Sequence, residues 1–147
     1  MERRDWIIIV TGQAGGAPLT PVQLQKSLFV IRKLVPSVQE AQDFYAFEPY
    51  NYGPFCADIY RDAEDLESRG YIAIALSPAG RWREYSATVE GQSRARELQA
   101  ELPKEDGAYI EEIVRWIRGL SFPQLLRAIY QNWPDYKANS IFVAQAP

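Results

Sequence analysis

Leu66-Glu67-Ser68-Arg69-Gly70-Tyr71-Ile72-Ala73-Ile74-Ala75-Leu76-Ser77-Pro78-Ala79-Gly80-Arg81-Trp82-Arg83-Glu84-Tyr85-Ser86-Ala87-Thr88-Val89-Glu90-Gly91 decides how the rest of the chain is read. Leu66 closes an apolar stripe with Phe55, Ile59 and Ala63, the spacing of one helix face, and Gly70 is suited to end that helix as its C′ residue. Tyr71–Leu76 and Trp82–Ala87 are β-branched and aromatic runs on either side of Ser77-Pro78-Ala79-Gly80-Arg81, a loop with the Pro and Gly of a hairpin connection. Thr88 then caps a further helix, in which Ala95, Leu98 and Leu102 are available for packing until Pro103 stops it. Helix, two-stranded hairpin and helix therefore succeed one another within about forty residues.

Upstream, Thr20-Pro21-Val22-Gln23 has an N-cap, a proline at the first helical position and a glutamine three residues after the cap, with Leu19 and Leu24 as the apolar staple. Leu24, Leu28, Ile31 and Val35 continue at helical spacing, so a helix is predicted to about Leu34, before Pro36, with Gln23, Lys26, Arg32 and Lys33 pointing away from the stripe. Trp6–Val10 is apolar throughout and suits a strand or a buried helix equally. Thr11–Gly16 resembles a nucleotide loop only superficially: it lacks the Gly-Lys-Ser/Thr of a phosphate loop, and Ala17-Pro18-Leu19 delays the next helix, so a flexible turn is expected. Between the helices, residues 44–60 hold 7 of the 19 aromatics, and Gly53-Pro54 is expected to start the second helix.

Downstream, Ile110, Ile113, Val114 and Ile117 mark a helix over about 106–118 ending at Gly119. Ser121-Phe122-Pro123-Gln124 repeats the capping-box pattern for a last helix carrying Leu125, Leu126, Ile129 and Tyr130, halted at Trp133-Pro134. These apolar residues, with Trp116 and Trp133, exceed what a minimal domain of this kind needs and must cover its own core or a twofold partner; a homodimer is expected. The reading is an α+β, mostly helical chain: a winged helix-turn-helix over residues 1–102 with a two-stranded wing, and a helical extension over 103–147 packed on it as one compact unit.

The composition excludes much. With 147 residues the chain is one ordinary domain, and with no histidine it has no His-dependent triad, HExxH zinc site or imidazole acid–base chemistry. Adjacent carboxylates such as Glu111-Glu112 diverge on a helix, and a lone Cys56 near a helix N-terminus is more commonly a small buried hydrophobe than a nucleophile. No catalytic residue, metal or cofactor is expected. The single cysteine and the lack of any run of 18 apolar residues point to a cytoplasmic protein with no membrane partner.

In order and spacing, Leu24-Gln25-Lys26-Ser27-Leu28-Phe29, then Tyr50-Asn51-Tyr52-Gly53-Pro54-Phe55 with Ile59-Tyr60, resemble the SocA-like (Panacea) antitoxin-associated family, whose pattern pairs a Leu-x-Lys-Leu helix with a Tyr-Gly-Pro motif. The resemblance covers roughly residues 20–72, and Pro49 stands where the family carries a tryptophan. It implies a regulatory or antitoxin-like role with a protein partner such as a toxin.

A winged helix that reads DNA needs cations on its second helix. From Asp58 to Arg69 this chain has five acids against two arginines, so that helix repels a duplex and is expected to dock on a basic protein through Asp58, Asp62 and Asp65, with Tyr50, Asn51 and Tyr52 as anchors. Contact with double-stranded DNA, if any, falls to the wing and the helix after it, through Arg81, Trp82, Arg83 and Arg94. The alternative is a dimeric winged-helix transcriptional regulator that binds operator DNA.

Overall fold

The structure, a computed structural model, describes residues 1–140; the end of the expected C-terminal extension, 141–147, lies outside them. Trp6–Val10 belongs to a helix, α1 (Arg3–Gln13). Periodicity cannot tell helix from strand there because Trp6–Thr11 is buried on every side, which removes the polar face that gives a helix its rhythm. The expected turn over Thr11–Gly16 is correspondingly shorter. Thr11, Gly12 and Gln13 are helical, and the left-handed residues Gly15 and Gly16 make the turn. Gly12 sits where α1 meets a later helix so closely that a Cβ would lie 2.4 Å from the Ala95 Cβ.

Helix α2 (Pro21–Leu34) starts where the sequence placed it, with the Thr20 hydroxyl accepting from the Gln23 amide and the Gln23 side chain returning to the Thr20 amide. Eight consecutive residues from Leu24 to Ile31 are buried, so α2 runs through the middle of the molecule. A short turn, α3 (Pro36–Gln39), comes next.

Gly53-Pro54 does not start a helix. Strands β1 (Glu48–Tyr50) and β2 (Gly53–Phe55) form an antiparallel hairpin, and the helix α4 (Asp58–Ser68) begins only after it, so Phe55 lies in a strand. Pro49 faces Pro54 in the register. Neither has an N–H, so the pair occupies a position whose ladder bonds point outward, and each carbonyl is free to accept from elsewhere in the fold. Gly53, with φ of 90°, provides the left-handed residue after the Asn51-Tyr52 turn.

The second hairpin, β3 (Ile72–Leu76) with β4 (Arg83–Ala87), matches the reading of 71–87. Leu19 exchanges two backbone hydrogen bonds with Tyr85, adding a one-residue bridge to β4. Thr88 caps α5 (Val89–Ala100), and α6 (Lys104–Arg118) and α7 (Phe122–Asn132) complete the helices, the last with the predicted Ser121–Gln124 capping box; a 3-10 turn spans Pro134–Lys137. Ile110, Ile113, Val114 and Ile117 of α6 and Leu125, Leu126, Ile129 and Tyr130 of α7 join α1, α2 and α4 in one buried cluster. The apolar surplus of the C-terminal helices thus largely covers the chain's own core, and the fold is mostly helical with two small antiparallel sheets.

Candidate functional site

Each of the five carboxylates on α4 has a partner inside the molecule. Asp58 bonds Arg3 at 3.2 Å and also pairs with Arg61; Asp62 pairs with Arg3 at 3.0 Å. Asp65 bonds Arg4 at 2.6 Å and Arg69 at 2.9 Å. Glu64 pairs with Arg83 on β4, and Glu67 accepts from the Ile74 amide on β3. Asp62 also accepts from the Tyr45 hydroxyl at 2.7 Å, and burial first, then this bond, pushes the Tyr45 phenol well above its ordinary pKa. The acidic face read from the sequence as a docking surface also ties α4 to the N-terminus of α1 and to the β3–β4 hairpin. Sequence reasoning missed these ties because Arg3 and Arg4 lie more than fifty residues from their partners, and no local pattern announces such a pairing.

The cations expected to meet nucleic acid are partly occupied as well. Arg83 is paired with Glu64, and Arg94, on α5 and not on the hairpin, is paired with Glu97 at 2.9 Å. Trp82 is 43% exposed and points its indole N–H at Glu84, 3.4 Å away. Among the described residues the Arg81 guanidinium, alone of the three arginines, has no ion pair.

Tyr50, Asn51 and Tyr52 form the tip of the β1–β2 hairpin. Tyr50, half exposed, stacks on Phe55 at 4.9 Å, and Tyr52 meets Phe122, at the start of α7, edge-on at 5.4 Å. Gly53 backs onto Tyr130, whose ring would lie 3.2 Å from an added Cβ, and Asn139 reaches the Pro49 carbonyl.

Beneath this tip the two segments that carried the family resemblance come into contact. The Gln25 amide donates to the Cys56 carbonyl at 2.9 Å and accepts from the Cys56 amide at 3.0 Å, pairing with the backbone as another strand would. The Lys26 ammonium donates to the Pro54 carbonyl at 3.0 Å, the group that the Pro49–Pro54 register turned outward. Lys26 is buried, and desolvation alone brings its pKa down to about 7. A cavity of about 230 Å3 opens beside it, with Val22, Tyr50, Tyr52, Phe55 and Tyr60 among its walls. Sequence reading grouped Lys26 with surface cations; the run of apolar neighbours on both sides, Leu24 and Leu28-Phe29, was the available sign that its helix position is enclosed.

Cys56 is buried, and desolvation raises its thiol pKa, which leaves it a packing residue. Among the described residues no three His, Cys, Asp or Glu side chains are placed to hold a metal ion, and no helix is long and apolar enough to cross a membrane. The sequence matches no protein-family model and no curated protein.

Proposed function

We propose that the chain is a non-enzymatic regulatory domain of winged-helix type, antitoxin-like in role, that acts by binding a protein partner through the β1–β2 hairpin. The order α2, α4, β3, β4, with the Leu19 bridge adding a third short strand, supports the winged-helix reading. The observation that carries the binding site is the aromatic tip: Tyr50, Tyr52 and Phe122 are all exposed and lie together. Aromatics of this kind anchor interfaces because they bury large rigid area at little entropic cost. The clasped carboxylates of α4 leave that helix a smaller part in binding than its composition suggests, as a neutralised rim beside the tip.

The test is titration calorimetry against the products of adjacent open reading frames, the first candidates for a cognate partner. Tyr50→Ala/Tyr52→Ala is expected to weaken binding at least tenfold, while Arg81→Ala/Arg83→Ala leaves it unchanged. Operator binding at nanomolar affinity that depends on the wing would replace this reading with that of a transcriptional regulator. The wing supports only weak duplex contact: one phosphate contact by Arg81 gives a slope of about −0.9 in log affinity against log salt, and recruitment of Arg83 brings it to about −1.8.

A further inference from the structure

Among the described residues Lys26 is a charge-bearing group without a countercharge. Its ammonium has three donors, and one hydrogen bond, to the Pro54 carbonyl, accounts for one of them. No Asp or Glu stands among the described residues lining the adjoining cavity; the polar side chains there are Gln25, Asn51 and the three tyrosines. Gln25 is already committed to the Cys56 backbone through both ends of its amide. A buried lysine so placed is costly to keep charged, and an anion bound beside it offsets that cost.

We propose that the cavity under the β1–β2 hairpin binds a small organic carboxylate, its anionic end paired with the Lys26 ammonium and its apolar body held between Val22 and the rings of Tyr50, Phe55 and Tyr60. The size fits: about 230 Å3 is the share of roughly eight waters in the liquid, enough for an aromatic or short-chain acid. The charge fits as well. One lysine answers one negative charge, whereas a phosphate dianion calls for more cations or for free helix N–H groups, and at α2 Pro21 has no N–H and the Gln23 amide is taken by Thr20. Burial lowers the Lys26 pKa to about 7, so at neutral pH part of this amine is unprotonated, and a carboxylate draws a proton to it on binding. The site shares Tyr50 and Tyr52 with the partner-binding tip but rests on Lys26 and the cavity behind it, and its test needs no partner.

The probe is benzoate, with benzamide as its uncharged counterpart of the same shape, followed by calorimetry at pH 7 in two buffers of different ionisation enthalpy. Saturable benzoate binding with net proton uptake, and benzamide at least tenfold weaker, is the expected result. Lys26→Met removes the charge at nearly constant volume and is expected to abolish benzoate binding while the folded circular-dichroism signal remains. Val22→Phe leaves Lys26 in place but fills the cavity, and is expected to weaken benzoate at least tenfold. Equal affinity for benzoate and benzamide, or benzoate binding that survives Lys26→Met, overturns the proposal. So does a lack of saturation at millimolar benzoate and at millimolar hexanoate alike.

Discussion

Lys26 is where a single side chain most affects the energetics of this fold. Its pKa is lowered from 10.5 to about 7, so between those values the unfolded chain holds a proton that the folded chain has released. Stability attributable to this residue therefore rises with pH across that window, by about 1.4 kcal/mol per unit where the difference is a full proton. Below pH 7 the penalty is present in full, on the order of 5 kcal/mol, and it fades as the pH approaches 10.5. Lys26→Met removes the penalty but leaves the buried Pro54 carbonyl without its donor, a loss of about 1–3 kcal/mol. The expected outcome is a variant about 2–4 kcal/mol more stable than the parent at pH 6 whose advantage is gone by pH 10, read from urea unfolding at the two pH values. An advantage independent of pH would mean that Lys26 is not the titrating group. Of this the sequence showed the lysine and the helix around it, but not its burial, because the hairpin that encloses it carries two facing prolines and reads as a loop.

Among the elements, the sequence was most legible where the signal is local. The Thr20, Thr88 and Ser121 caps fix three helix starts, and Gly70, with φ of 86°, fixes one helix end. It was least legible where an element is defined by distant neighbours: α1, which has no polar face to give it a period, and α4, whose charges are answered from α1. Those distant contacts can be tested by mutation. Gly12→Ala gains helix propensity but drives its methyl into Ala95, so a net loss of about 1–2 kcal/mol is expected, and Ala95→Gly should relieve it. A double-mutant cycle with a coupling energy below about 0.5 kcal/mol would show that α1 and α5 do not touch there. A second test concerns the ion pairs that tie α4 to α1. Asp58→Lys/Asp62→Lys/Asp65→Lys sets three lysines against Arg3, Arg4, Arg61 and Arg69, and the protein is expected to melt several degrees lower, with Arg3→Glu/Arg4→Glu restoring part of the loss. An unchanged melting temperature in the triple variant would show that these ion pairs contribute nothing to stability.

At the scale of the whole molecule, the apolar residues that remain exposed show which face looks outward. Leu34 at the end of α2 and Tyr109 and Trp116 on α6 are exposed beside Val30 and Ile113, and Tyr109 and Trp116 are seven residues apart on one side of the helix. The C-terminal helices bury most of their large side chains at home, so any self-association has this strip to use rather than Leu125, Leu126 or Ile129. Apart from Lys104 at its start, the charges of α6 are sorted along its length: Glu105, Asp106, Glu111 and Glu112 precede Arg115 and Arg118, with Glu111 and Arg115 paired to each other at 2.7 Å. Two copies crossing antiparallel at this strip set the acidic half of each against the basic half of the other, the self-complementarity that a twofold interface requires. The patch is small, so the dimer is expected in the range of tens of micromolar rather than nanomolar. Sedimentation equilibrium should show a concentration-dependent rise in mass for the parent chain, and Trp116→Lys should hold it at 16.8 kDa. Because added salt strengthens apolar contact but screens the sorted charges, a dimer held mainly by α6 electrostatics weakens at about 1 M sodium chloride, whereas one held by Trp116 and Leu34 survives it. A parent chain that stays monomeric at a hundred micromolar leaves the strip without a twin.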